Sequence, residues 1–170
     1  EQDIERAIYW CTKAAEQGHV DAQRKLGFWY YGENSQVQDH NKSLYWFQKS
    51  AEQDDAIAQF ALGVHYEDGT GVACDMEQAF CWYTKAAKQD LPVAQFKLGM
   101  CYDYGQGVEK DLHQAVHWYT LAAEQGVSSS CAGVSSSALL SFIKSSAFNE
   151  SGHETTASEN GGSEKPYVLK

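Results

Sequence analysis

Two histidines four residues apart offer the first chemistry to weigh. In His113-Gln114-Ala115-Val116-His117 both imidazoles fall on one helix face, a spacing that can hold a metal ion. Zinc hydrolases of the HExxH pattern add a Glu as general base, and here that place holds Gln114. Steps of 36 upstream lead from His113 to Glu77, Asn41 and Glu5, and from His117 to Cys81, Tyr45 and Tyr9. Slots that change so freely read as surface. The loops Gly69-Thr70-Gly71-Val72 and Gly105-Gln106-Gly107-Val108 resemble phosphate cradles only in their glycines. No strand pattern precedes them and no GK[ST] or GxGxxG follows, so they read as turns between helices. The five cysteines (11, 74, 81, 101, 131) form neither a zinc ligand set nor a disulfide framework. Cys74 and Cys81, seven apart, read as structural thiols. No Ser-His-Asp or Cys-His set follows from spacing, and Ser135 to Ser137 belong to a low-complexity run. The expectation is no catalytic residue, no metal and no cofactor.

Composition narrows the partner. The 170 residues carry 13 basic against 23 acidic side chains, a net charge of −10. Nucleic-acid binding needs a positive footprint to neutralise phosphates, and an anionic bilayer would repel this chain for the same reason. The recurring Trp and Tyr read as core residues rather than a base-stacking platform. No apolar run approaches the ~18 residues of a membrane span. The charged start (Glu1, Asp3, Glu5) does not read as a signal peptide, which leads to the expectation of a cytoplasmic protein. Residues 1–126 contain three Ser and 127–170 contain twelve. The stretch 149–170 has too little to bury to offset its ordering entropy and is expected to be disordered. Within 127–148, Leu139, Phe142, Ile143 and Ala147 fall at helical spacing, which predicts a short capping helix after a Ser-rich linker.

The elements that must position everything else recur every 36 residues. Trp stands at 10, 46, 82 and 118, Asp at 3, 39, 75 and 111, and Ala-Gln at 22–23, 58–59 and 94–95. Leu26-Gly27, Leu62-Gly63 and Leu98-Gly99 each precede a Tyr by three residues, at Tyr30, Tyr66 and Tyr102. Such a period marks stacked supersecondary units that cannot bury their apolar faces alone. Each unit reads as two helices. In the second, Ala79, Trp82, Tyr83, Ala86 and Ala87 make one apolar stripe, with Trp82 expected in the core. Asp75 and Asp111 are expected N-caps, completed to capping boxes by Gln78 and Gln114. Asp39 and Asp3, followed by Lys42 and Arg6, should cap more weakly. Gly18, Asp54, Asp90 and Gly126 mark the helix exits. In the first helix, Gly63 costs ~1 kcal/mol relative to Ala. Its return at 27, 63 and 99 predicts a close crossing that a Cβ would block. That helix is apolar on two sides, so it should lie between neighbours.

The three elements Ala58 to Tyr66, Gly69 to Asp75 and Ala79 to Ala87 together resemble the Sel-one-like repeat family, relatives of the tetratricopeptide repeats. The resemblance covers 1–126: a half repeat at 1–21, then repeats at 22–57, 58–93 and 94–126. It implies an all-α superhelical solenoid whose first helices line a concave face, and a role as scaffold or adaptor. Two departures stand out. Glu33-Asn34-Ser35-Gln36 replaces the glycine loop in the first full repeat, and a fourth repeat would hold Ser130, Val134, Ser135 and Ala138 at its signature places. Entry half-way through a unit, with no leading Met, suggests a piece of a longer protein.

The first helices also carry positions that vary. One stripe beside the recurring Leu holds Lys25 and Trp29, then His65 and Asp68, then Lys97, Cys101 and Tyr104. This mixture is expected to form a groove for a protein or peptide partner, met through a basic or neutral segment. No nucleic acid and no membrane insertion are expected. A second reading makes the chain the targeting module of a larger enzyme such as a kinase. A third, implied by disulfide-rich members of the family, is weak β-lactam hydrolysis, for which no nucleophile and base stand out.

Overall fold

The computed structural model describes residues 2–32 and 38–127. Seven helices follow in order: α1 (Gln2–Glu16), α2 (Val20–Tyr31), α3 (His40–Ala51), α4 (Ala56–Asp68), α5 (Met76–Ala87), α6 (Pro92–Tyr104) and α7 (Leu112–Glu124). Among the described residues there is no strand. Each helix packs on the next, and the tightest pairs are α2 with α3, α4 with α5 and α6 with α7. The result is an all-α repeat solenoid in which α2, α4 and α6 are the first helices of their units. No described helix is long and apolar enough to cross a membrane. The expected capping helix at 137–148 and the tail at 149–170 lie outside the described residues, as does the substituted loop at 33–36.

The recurring glycines explain the tight pairs. A Cβ on Gly27 would stand 2.6 Å from the Phe47 ring and one on Gly99 2.7 Å from the Tyr119 ring, while one on Gly63 would overlap the ring of Tyr83. An aromatic ring of the second helix therefore packs directly against the backbone of the first, the close crossing that the spacing implied. The ring belongs to the residue after each Trp. Phe47 and Tyr83 are wholly buried, whereas Trp46, Trp82 and Trp118 are half-buried and Trp10 is 68% exposed. This corrects the expectation for Trp82. It packs against the edge of the core and carries the Lys85 ammonium 3.8 Å above its ring, so its indole is a shield rather than a centre.

Helix ends follow the sequence with one revision. Asp75 Oδ1 accepts from the amides of Glu77 and Gln78, and Asp111 Oδ1 from those of His113 and Gln114. The return half of the capping box does not form. The amide of each capping Asp instead donates to the carbonyl of the recurring Tyr on the first helix, from Asp39 to Tyr30, Asp75 to Tyr66 and Asp111 to Tyr102. That bond fixes how the second helix leaves the first, and it gives the recurring Tyr a backbone role. Asp39 accepts from the Lys42 amide and adds an ion pair to the Lys42 ammonium at 3.2 Å. Those bonds, the amide first, hold its carboxyl below the usual range. Asp3 lies inside α1 rather than ahead of it. Gly18, Asp54, Asp90 and Gly126 all have positive φ, between 59° and 91°, so the four exits share one left-handed turn.

The Ala-Gln pair has a role that its recurrence alone did not reveal. Gln23, Gln59 and Gln95 are buried. Their amide nitrogens donate to the carbonyls of Ala15, Ala51 and Ala87, the last turn of the preceding second helix. Their carbonyls accept from Gln53, Gln89 and Gln125 at 2.7 to 3.0 Å, at the end of their own unit. Each buried amide thus ties two successive units together, satisfying otherwise orphaned polar groups at the helix ends.

Candidate functional site

First helices held between two neighbours leave little of themselves exposed. In α4, every residue from Ala58 to His65 is buried, and in α6 every residue from Val93 to Gly99 and Cys101. The seven variable positions therefore divide. His65 has no exposed surface, Lys97 is 5% exposed and Cys101 3%. Lys25 and Trp29 are half-buried, and Asp68 and Tyr104 are exposed. The expectation of a partner-facing side chain is corrected for His65, Lys97 and Cys101: the adjacent unit covers the columns they occupy. Lys25 and Trp29 occupy the same two columns on α2 and are half-buried. Trp29 packs against the Ala15, Ala22 and Leu26 cluster.

His65 closes the junction between the first and second full units. Its Nδ1 faces the Thr70 carbonyl, which can only accept, so that nitrogen carries the hydrogen. Nε2 lies 3.1 Å from Ser43 Oγ on α3, and the same hydroxyl lies 2.9 Å from the Gly27 carbonyl. Tyr31 and Phe47 stand edge-on to the ring, with centroids 5.3 and 5.8 Å away. Burial outweighs the Thr70 bond and lowers the pKa to about 4, so the ring is neutral at pH 7. Here is a Ser–His contact that spacing could not reveal. It is not a nucleophile in waiting, because both side chains are wholly buried. The second ring nitrogen also meets a carbonyl where a triad would place a carboxylate.

The next junction uses charge. Lys97 Nζ on α6 donates to Glu67 Oε1 on α4 at 2.9 Å, with 6% and 20% of the two side chains exposed. Tyr83 donates its hydroxyl to Glu67 Oε2. Glu67 thus joins a first helix, its own second helix and the following unit. Burial pushes the nearby Cys101 thiol up to about 12, and Lys97 only partly opposes it. Such a thiol is inert at neutral pH. Asp68, beside Glu67, is exposed as a residue, yet partial desolvation of its carboxyl and then that neighbour's charge raise its pKa. A third ion pair joins Arg24 to Asp55 at 2.7 Å, while Asp55 Oδ1 caps α4 through the Ala58 amide. Desolvation outweighs both bonds and raises the Asp55 pKa.

The remaining sequence candidates sit apart. His113 and His117 are exposed on α7, and among the described residues no group of three or more His, Cys, Asp or Glu could hold a metal ion. Cys11, Cys74, Cys81 and Cys101 are free thiols. The second glycine of each loop serves packing. A Cβ on Gly107 would overlap the Met76 carbonyl, and one on Gly71 would meet the His40 carbonyl at 2.8 Å. These loops cradle the start of the preceding second helix, not a phosphate.

The Sel1 repeat model matches residues 1–19, 20–55, 56–91 and 92–127, three-quarters of the chain in unbroken succession. The chain belongs to the Sel1 repeat family. Its Sel1 units begin two residues ahead of the divisions drawn from the Ala-Gln pairs, at the starts of the first helices. Solved Sel1 structures agree. The protective antigen c5321 of uropathogenic Escherichia coli, described as displaying an SLR fold, is 41% identical with a TM-score of 0.68, over 71% of this chain and 26% of its own. A Sel1 repeat protein from Oxalobacter formigenes is 31% identical with a TM-score of 0.70, over 75% and 37%. Cysteine rich protein B of Helicobacter pylori is 25% identical with a TM-score of 0.60, over 76% and 93%. The chain spans about a quarter of the first and under two-fifths of the second. No curated protein matches it. Sel1 repeat proteins are typically protein-interaction scaffolds.

Proposed function

We propose that this chain is a non-catalytic scaffold that engages an extended or helical segment of a partner protein along its first-helix side. The contact is carried by Asp68 and Tyr104. One observation supports this reading above the rest: Tyr104, 65% exposed, ends a helix whose other residues are all buried or half-buried. Asp68 occupies the same column one unit earlier and is exposed as well. Large aromatic side chains at such positions tend to carry binding energy, ~2 kcal/mol or more each. The net charge of −10 favours a partner with a basic or neutral segment, met faster at low salt.

The test is affinity capture with the full chain as bait, followed by titration of the captured partner at low and high salt. Tyr104→Ala combined with Asp68→Lys is expected to weaken binding about tenfold or more. Rising salt should slow association. A captured partner that ignores both the substitutions and the salt would count against the first-helix surface and the basic segment alike.

A further inference from the structure

Lys97 is the one buried lysine among the described residues, and its surroundings show what such a cation needs. Its ammonium lies 2.9 Å from Glu67 Oε1 and 5.9 Å from the centroid of the Tyr83 ring. Tyr83 also donates its hydroxyl to Glu67, so carboxylate, phenol and cation form one set. A buried ammonium is tolerated only with partners of this kind. One unit earlier the matching pair is Tyr31 and Phe47, which holds no acid, and the place of Lys97 is taken by Ala61. The cation comes with the acid.

The acid and phenol return one unit later, on α6 and α7. Tyr119 hydrogen-bonds to Asp103, in the places of Tyr83 and Glu67. Among the described residues no Lys or Arg forms an ion pair with Asp103. Tyr119 is half-buried and, with Val116, Thr120, Ala123 and Glu124, lines an open, mainly apolar depression. We infer that the Asp103–Tyr119 pair seats a lysine of the partner, brought in by a segment with apolar residues beside it. The inference rests on the first-helix reading above and names the basic feature that reading calls for. Asp103 directly precedes Tyr104 on α6, so one segment can touch both. The carboxylates of Asp103 and Glu124 give the place a negative sign. Burial, then the Asp103 charge, keeps the Tyr119 hydroxyl protonated, so it stays a donor and leaves a carboxylate oxygen to the ammonium. The cation gains the carboxylate and the ring together. The apolar flanks follow from α6, where Lys97 arrives with Val93, Ala94 and Cys101, all part of the core.

The test uses the full chain and a pair of labelled peptides, alike but for one central residue, lysine or norleucine, set between leucines and alanines. Anisotropy titration should give the lysine peptide about tenfold or more the affinity of the other. Asp103→Asn should erase that preference. Tyr119→Phe should reduce it, and Phe47 against Gly27 shows that Phe fits this place. Melting curves check that each variant stays folded. Equal affinities on the wild type, binding of neither peptide, or a preference that survives Asp103→Asn would each overturn the inference. A dimer that Asp103→Asn dissolves would make a second copy the occupant and end the assignment too. The first-helix surface is judged separately, by capture with Tyr104→Ala and Asp68→Lys, and can stand while the lysine seat falls.

Discussion

The two inner junctions share a backbone and differ in chemistry. Between α3 and α4 a neutral set, Ser43, His65 and the Thr70 carbonyl, fills the gap at the C-terminal end of α4, while the Arg24–Asp55 ion pair closes the other end at its N-cap. Between α5 and α6, Glu67, Lys97 and the Tyr83 hydroxyl fill it with charge. The scaffold of glycine and ring, buried Gln and capping Asp is the same in both. Variation along the first helices is therefore partly a record of neighbours adjusted to one another. Where the second helix has Tyr83, the first supplies Glu67; where it has Phe47, the same column holds Tyr31. Tyr119 again faces an acid, Asp103, and burial followed by that charge pushes its hydroxyl up to about 12. A varied position is not thereby an exposed one.

The charged junction should break hardest. Lys97→Met strands Glu67, and losing one partner of a buried pair costs ~3 kcal/mol; a denaturant titration measures it. Adding Glu67→Gln should recover most of the loss, since no unpaired charge then remains. If the double variant is as unstable as the single one, the charge pairing is not what holds this junction.

The neutral junction should break with pH. The unfolded His65 ring titrates at 6.5 and the folded one near 4, so falling pH protonates the unfolded chain first. The stability tied to this ring is whole above about 6.5, declines on the way down to about 4 and changes no further below. The loss is on the order of a few kcal/mol. His65→Phe should flatten that part of a stability–pH curve; a variant curve parallel to the wild type between those values would contradict the assignment.

Exchanging the chemistries sharpens the contrast further. Phe47→Tyr places a hydroxyl opposite Tyr31, at a cost of ~1–2 kcal/mol, and Tyr31→Glu added to it should restore part of the loss. A double-mutant cycle with no coupling energy would show that the acid and the Tyr vary independently. The smallest effect is common to both junctions. Asp54→Gly and Asp90→Gly relieve a left-handed L-residue and should each stabilise by ~0.5–1 kcal/mol, read as a rise in melting midpoint.

The architecture was largely written in the sequence because its determinants are local or strictly periodic. Gly63 announced its crossing, Asp75 its cap and Asp54 its left-handed exit, each through residue type at a fixed step. Contacts between units were not legible. Gln59 and Gln89 are 30 residues apart, and nothing in either amide names the other. Trp82 was misplaced because a helical wheel gives direction but not depth: the stripe is right, yet it is Tyr83 whose ring meets Gly63 of the first helix. The same limit hid His65, Lys97 and Cys101. A wheel drawn on one helix separates them from the helix core, and only the preceding unit shows that their side is covered.

The division of the variable positions has one direct test. Partner capture by the full chain would be compared across the wild type, Tyr104→Ala with Asp68→Lys, the junction pair Lys97→Met with Glu67→Gln, and Lys88→Ala on the second-helix side, each with its melting curve. The exposed pair is expected to lose capture about tenfold or more at an unchanged midpoint. The junction pair should move the midpoint and keep capture while folded, and Lys88→Ala should change neither. Full capture by the Tyr104 and Asp68 variant, together with loss on Lys88→Ala, would place the partner on the second helices and contradict the assignment.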